Sequence, residues 1–287
     1  MRKNVNFGDL PREYSGLADA SVVIVPVAYD GTSTWGKGAD KGPAAIIEAS
    51  ANMELYDIET DSEVYKKGIF TDEPISENAS PEQMISAVKA IVGKHIASGK
   101  FVVTIGGEHS VSIGAVEAAA QAFDGLTVLQ LDAHSDLRPE YNNSKYNHAC
   151  VMSNIKKIVP IVQVGIRSMD ICEKEFLDID RVFFAKDIHS SSDWMEKVVR
   201  LLSDNVYVTI DLDVFDPSIM PSTGTPEPGG LGWYEILKLL RMVCGSKNVV
   251  GFDVVELCPE ADNKSPDFMA AKLIYKFLSY KFGNCDG

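Results

Sequence analysis

Two spacings of apolar residues alternate along this chain. Short apolar runs rich in β-branched residues recur at 21–27, 101–105, 126–131, 161–164, 206–210 and 249–255. Near-continuous apolar character marks strands buried on both faces, as in a parallel sheet, where strict alternation would mark a sheet with one wet face. Between these runs, residues 81–97, 111–123, 194–202 and 266–280 place apolar positions three and four apart, the spacing of a helix with one buried stripe. Alternation of the two predicts an α/β fold in three layers, α/β/α, around a mainly parallel central sheet. No linker, repeat or low-complexity stretch divides residues 1–287, so a single domain is expected. The Pro- and Gly-rich segment 221–232 reads as a shaped loop within it.

The polar residues that end these runs carry the chemistry. At 129–136 the chain reads LQLDAHSD, so Asp132, His134 and Asp136 alternate just past an apolar run and share one face of extended backbone. IGGEHS at 105–110 places His109 just beyond FVVTI, and VYVTIDLD at 206–213 offers Asp211 and Asp213 at the same alternate spacing. Taken singly, each could be a helix cap or a turn residue. Together, four carboxylates converging without a counter-charge would repel and raise one another's pKa values. Their charge, about four negative units when ionised, calls for two divalent cations. Oxygen and imidazole donors with no thiolate suit Mn²⁺ or another fairly hard divalent ion. Six side chains around two ions must share, so at least one Asp bridges. Water held between two such cations becomes a hydroxide nucleophile near neutral pH.

Missing charges narrow the substrate. Neither 101–137 nor 206–237 contains Lys or Arg, whereas enzymes that transfer phosphoryl groups clamp the growing charge with cations. Glu256, at the end of VVGFDVVE, and Glu227, in TGTPEPGG, add acid instead. The pocket therefore favours a cationic or neutral substrate over an anionic one, and an unpaired Glu beside the metals suits a planar guanidinium held in fork geometry. Position at a strand end favours this role for Glu256 over a surface ion pair. The formal net charge of −14 argues against nucleic acid or an anionic membrane as partner. Five cysteines, at 150, 172, 244, 258 and 285, form no CxxC pair and fit a reducing compartment. With no apolar signal core in MRKNVNFGDL and no long apolar run, a cytoplasmic location is expected.

GGEHS at 106–110, DAHSD at 132–136 and TIDLDVFDPSIMPSTGTPEPGG at 209–230 resemble the ureohydrolases, the family of arginase and agmatinase. VAYDGTSTWGKGADKGPAAIIEAS at 27–50 is similar to that family too, so the resemblance spans nearly the whole chain. It implies an arginase-like fold, a homo-oligomer (trimer or hexamer) and two Mn²⁺ ions. By position it implies that His109 and Asp136 hold the first ion, His134 and Asp213 the second, with Asp132 and Asp211 shared. It further implies that His148 is a proton shuttle and Glu256 the guanidinium anchor, with Asp136 passing a proton to the departing amine. LRPEYNNSKYN at 137–147 and GTPEPGG are similar to agmatinases, which points to agmatine cleaved to putrescine and urea. In that loop Glu140 is the candidate partner for the distal ammonium. Arg138 beside it could bind a carboxylate, unless a local acidic partner turns it aside, and so keeps 4-guanidinobutyrate and arginine open beside aminopropylagmatine. A non-catalytic metal-binding scaffold is the remaining reading.

Overall fold

Eight strands form one sheet in the order β2-β1-β3-β8-β7-β4-β5-β6, and every neighbouring pair is parallel. In chain order they are β1 (Val22–Pro26), β2 (Ile69–Thr71), β3 (Phe101–Ile105), β4 (Leu126–Leu131), β5 (Ile161–Ile166), β6 (Val182–Phe184), β7 (Asn205–Asp211) and β8 (Asn248–Val255). The computed structural model describes residues 6–283; Cys285 and the first five residues of the N-terminal segment lie outside them.

Successive residues of the central strands feed opposite faces, as the pleat requires. Val22 and Ile24 of β1, Leu129 and Leu131 of β4, and Val206, Val208 and Ile210 of β7 join one buried cluster. Val23 and Val25, Leu126 and Val128, and Tyr207 join the other. Helices Gly42–Ser50, Trp194–Leu201, Trp233–Ser246 and Ser265–Phe282 cover the first face, and Pro81–Ala97 and Val111–Ala122 cover the second. This is the expected three-layer α/β/α arrangement. The last two helices on the second face lie close because Gly114 lacks a Cβ, which would come within 2.4 Å of the Ile85 carbonyl oxygen.

The order of the strands positions the chemistry. β7 and β8, formed late in the chain, insert between β3 and β4, so segments about a hundred residues apart become neighbours at the sheet centre. Register there is level, with Leu131 paired to Ile210, Ile210 to Val254 and Val254 to Ile105. The residues just beyond these partners therefore emerge in one row at the carboxyl edge, the place where open α/β sheets bind ligands.

Candidate metal centre

His109 follows β3, Asp132 follows β4, Asp211 ends β7 and Glu256 follows β8. His109 Nδ1 lies 3.0 Å from Asp136 Oδ2, 3.2 Å from Asp132 Oδ2 and 3.5 Å from Asp211 Oδ2. A second group forms around His134 Nδ1, 2.9 Å from Asp213 Oδ2 and 3.8 Å from Asp132 Oδ1. Asp132 thus turns one oxygen to each group, the geometry of a bridging carboxylate. Two metal-competent sets result, His109/Asp132/Asp211 and Asp132/His134/Asp213. The structure brings all six sequence-predicted ligands together, Asp136 through its contact with His109.

The surroundings of His109 test whether a cation fits. Its Nε2 lies 2.9 Å from Thr209 Oγ1, which donates to Asp253 Oδ1 at 2.6 Å, and Tyr207 donates to the other Asp253 oxygen at 2.9 Å. Thr209 has spent its hydrogen, so Nε2 carries a proton and Nδ1 is the atom that faces three carboxylates; in the protein alone, burial opposes charge on the imidazole but Asp132 and Asp136 raise it well above its usual value. Buried Nδ1 has no hydrogen-bond partner. Donor atoms converging at this spacing suit a metal ion, since ligands at about 2.1 Å from one cation sit roughly 3 Å from one another. The outer Thr–Asp–Tyr chain is the kind of support that orients a metal-bound imidazole.

Electrostatics report the same need for cations. Burial, then Asp213 and Asp136, push Asp132 up to about 7. Burial and the neighbouring Asp213 and Asp132 hold Asp211 well above the carboxylate range. Burial opposes charge on His134, but Asp213 outweighs it and raises the imidazole to about 10; burial likewise opposes ionisation of Asp213, yet His134 draws it down to about 2. Asp136 (φ 52°) and Glu256 (φ 68°) sit in left-handed backbone that side chains adopt at a cost, as functional residues often do.

Glu256 lines the same cavity, of about 290 Å³, as His109, His134, Asp136 and His148. Its Oε1 accepts the backbone N–H of His109 at 2.7 Å. Its Oε2 faces the bare Cα of Gly224, where an added Cβ would stand 3.5 Å away. Burial and nearby Glu108 push its pKa well above the usual range, so a cationic ligand would be welcome there.

Glu140 is not brought to the site: it is exposed and absent from the cavity wall, because the loop turns its neighbour Tyr141 inward instead. Asp170, from the segment after β5, lines the mouth in its place. The expectation that nothing local supplies cations also needs correction. Arg138 lines the cavity, 3.6 Å from Asp170, 3.9 Å from Glu173 and 4.5 Å from the Tyr141 ring centre. Arg167 donates to the main-chain carbonyls of Gly165, Asp213, Val214, Phe215 and Glu227, tying the ligand loop to the Glu227 loop. Both guanidinium groups are engaged by the protein. Sequence reading did not single out Asp170 or Arg167, whose contacts come from loops that meet only in the fold. Burial raises the thiols of Cys150, which is buried, and Cys258, which is half-buried, to about 12.

The sequence profile of the arginase family matches residues 20–279. An N(1)-aminopropylagmatine ureohydrolase of Synechocystis is 39% identical, over 93% of this chain and 90% of its own length. An agmatinase of Pyrococcus horikoshii is 33% identical, over 90% of this chain and 91% of its own. Among solved structures, the agmatine ureohydrolase of Thermoplasma volcanium superposes with a TM-score of 0.86 at 30% identity, covering 98% of this chain and 95% of that one.

Proposed function

The chain belongs to the arginase family and is a ureohydrolase acting on a guanidino compound; within that class we propose that its substrate is agmatine, cleaved to urea and putrescine. One observation carries the choice. A carboxylate at the distal end is favoured by a free cation, and Arg138, the one Lys or Arg among the described residues lining the cavity, faces Asp170, Glu173 and the Tyr141 ring instead. Asp170 and Glu173 on the same wall face Arg138 and leave that end of the cavity without net positive charge, which suits a substrate ending in ammonium better than one ending in carboxylate. Aminopropylagmatine is the second reading, supported by the names of relatives that are more identical than the agmatinases. The two substrates differ only in the tail that leaves the mouth past Trp35, which lines the cavity yet is 81% exposed.

His109, Asp132, His134, Asp136, Asp211 and Asp213 would hold two cations, assigned as Mn²⁺ from their hard donor set. Such ions, when bound, supply Lewis acidity and make water a competent nucleophile near neutral pH. Glu256 orients the guanidinium by accepting its N–H groups on Oε2, with Oε1 anchored on His109 N–H. Asp136 takes the proton released as water adds to the guanidinium carbon and delivers it to the departing amine nitrogen. His148 exchanges protons between the cavity and solvent.

Urea release measured with agmatine, aminopropylagmatine, 4-guanidinobutyrate and arginine tests this. Agmatine is expected to give the highest kcat/KM, with the two carboxylate-bearing compounds lowest. Preference for arginine or 4-guanidinobutyrate would overturn the substrate assignment, and preference for aminopropylagmatine would move it to the longer polyamine.

A further inference from the structure

His148 reaches the cavity on a 3₁₀ turn, His148–Cys150, and is fixed from an unexpected direction. Thr32, 116 residues earlier, accepts the backbone N–H of His148 on its Oγ1 at 2.9 Å. The same hydroxyl donates to Glu108 Oε1 at 2.8 Å and lies 3.4 Å from His148 Nδ1. Glu108 is fully buried and takes two further donors, the Ser110 N–H at 2.7 Å and the Ser110 hydroxyl at 2.9 Å.

A hydroxyl has one hydrogen, and two acceptors compete for that of Thr32. Glu108 wins on distance, since a hydrogen bond at 2.8 Å is far stronger than a contact at 3.4 Å. Towards His148, Thr32 Oγ1 therefore offers only a lone pair. That contact is favourable only if Nδ1 carries the proton. The other ring nitrogen, Nε2, then holds the lone pair able to take up a proton.

We infer that Thr32, held by Glu108, is a positioning residue that selects the Nδ1–H tautomer of His148 and keeps its Nε2 ready to accept a proton. The inference rests on the reading of His148 as the group that exchanges protons in the proposed reaction. Neither Thr32 nor Glu108 touches the reacting atoms; the pair acts through the imidazole, as partners of catalytic and metal-bound histidines commonly do.

Nitrogen-15 NMR of the diamagnetic, metal-free full chain reads the tautomer directly, with the His148 signals identified by their loss in His148→Asn. The expected wild-type spectrum shows a protonated Nδ1 and an unprotonated Nε2. Thr32→Val, which keeps the shape and removes the hydroxyl, should shift His148 towards the Nε2–H form. In the metal-loaded enzyme the same change should lower kcat on the order of 10–100-fold with KM little changed, and Thr32→Ser should restore both spectrum and rate. A wild-type Nε2–H tautomer, or a Thr32→Val spectrum identical to wild type, overturns the inference. Absence of urea from every guanidino substrate would instead overturn the proposed reaction, while the spectra would still decide the role of Thr32.

Discussion

Asp132 faces both metal-competent sets, with Oδ2 towards His109 and Oδ1 towards His134. Neither set has a substitute for it, because Asp211, expected from the sequence to be shared as well, joins only the His109 set and Asp213 only the His134 set. Asp132→Ala is therefore expected to reduce bound metal from two ions per chain to one or none, read by elemental analysis after gel filtration, and to abolish urea release. Two tightly held ions in that variant would refute the shared-ligand argument. Asp132 and His134 were legible in the sequence because alternation after a strand suggests a shared direction; Asp136 has the same spacing but sits in left-handed backbone, φ 52°, so the local period does not set its direction. Thr32 and Asp170 were not legible, since each acts across a loop contact that no local period records. Glu140 failed for the complementary reason. Loop membership says nothing of direction, and the turn at Asn142 and Asn143, both with positive φ, leaves Glu140 facing solvent.

Strands and helices with strong periodicity appear almost where the pattern placed them; the helix read at 81–97 is Pro81–Ala97, and the strand read at 126–131 is Leu126–Leu131. What escaped were β2 and β6, three-residue edge strands too short to display a period, and the helices Gly42–Ser50 and Trp233–Ser246. Strand order was also out of reach, because the insertion of β7 and β8 between β3 and β4 follows from long-range pairing. Helix Ser265–Phe282 carries an element-scale liability of its own. Lys276 pairs with Asp57 at 2.9 Å and Glu59 at 3.1 Å, and the Lys276 and Asp57 side chains are only 7% and 1% exposed. Burial opposes ionisation of Asp57, but the hydrogen bond and charge of Lys276, with Thr60, more than offset it and lower its pKa. A folded pKa below the unfolded value means that the unfolded chain takes the proton first. The pair's stabilisation is thus complete above about pH 4 and is lost as pH falls through the depressed folded value. Lys276→Met should cost roughly 3–5 kcal/mol near neutral pH, because it strands a buried carboxylate. In denaturant titrations the gap to wild type should begin to narrow above about pH 4, where burial without Lys276 makes Asp57 neutral in the variant, and should narrow further below it as wild type loses its pair. A gap constant with pH would show that lost packing, and not the charge, sets the cost.

At the scale of the molecule the governing quantity is the formal net charge of −14, which two divalent cations would only partly offset. None of the described helices is long and apolar enough to cross a membrane. The chain's net acid, with Asp170 on the cavity wall, sets up a negative field. Such a field concentrates cations and repels anions at the entrance. Candidate substrates with the same guanidinium differ in total charge: 4-guanidinobutyrate is neutral overall, agmatine carries two positive charges and aminopropylagmatine three. Raising ionic strength from about 0.01 M to about 0.15 M shortens the screening length from roughly 30 Å to roughly 8 Å, which removes the long-range part of the field and leaves hydrogen bonds at the metal centre unchanged. Salt should therefore lower kcat/KM most for aminopropylagmatine, less for agmatine and least for 4-guanidinobutyrate, by up to about tenfold for the most charged. The neutral compound serves as the internal control for any effect of salt on metal retention or folding, since all three use the same centre. Equal salt sensitivity across the series would mean that selectivity arises only from contacts inside the cavity, and the acidic exterior would then have no part in choosing the substrate.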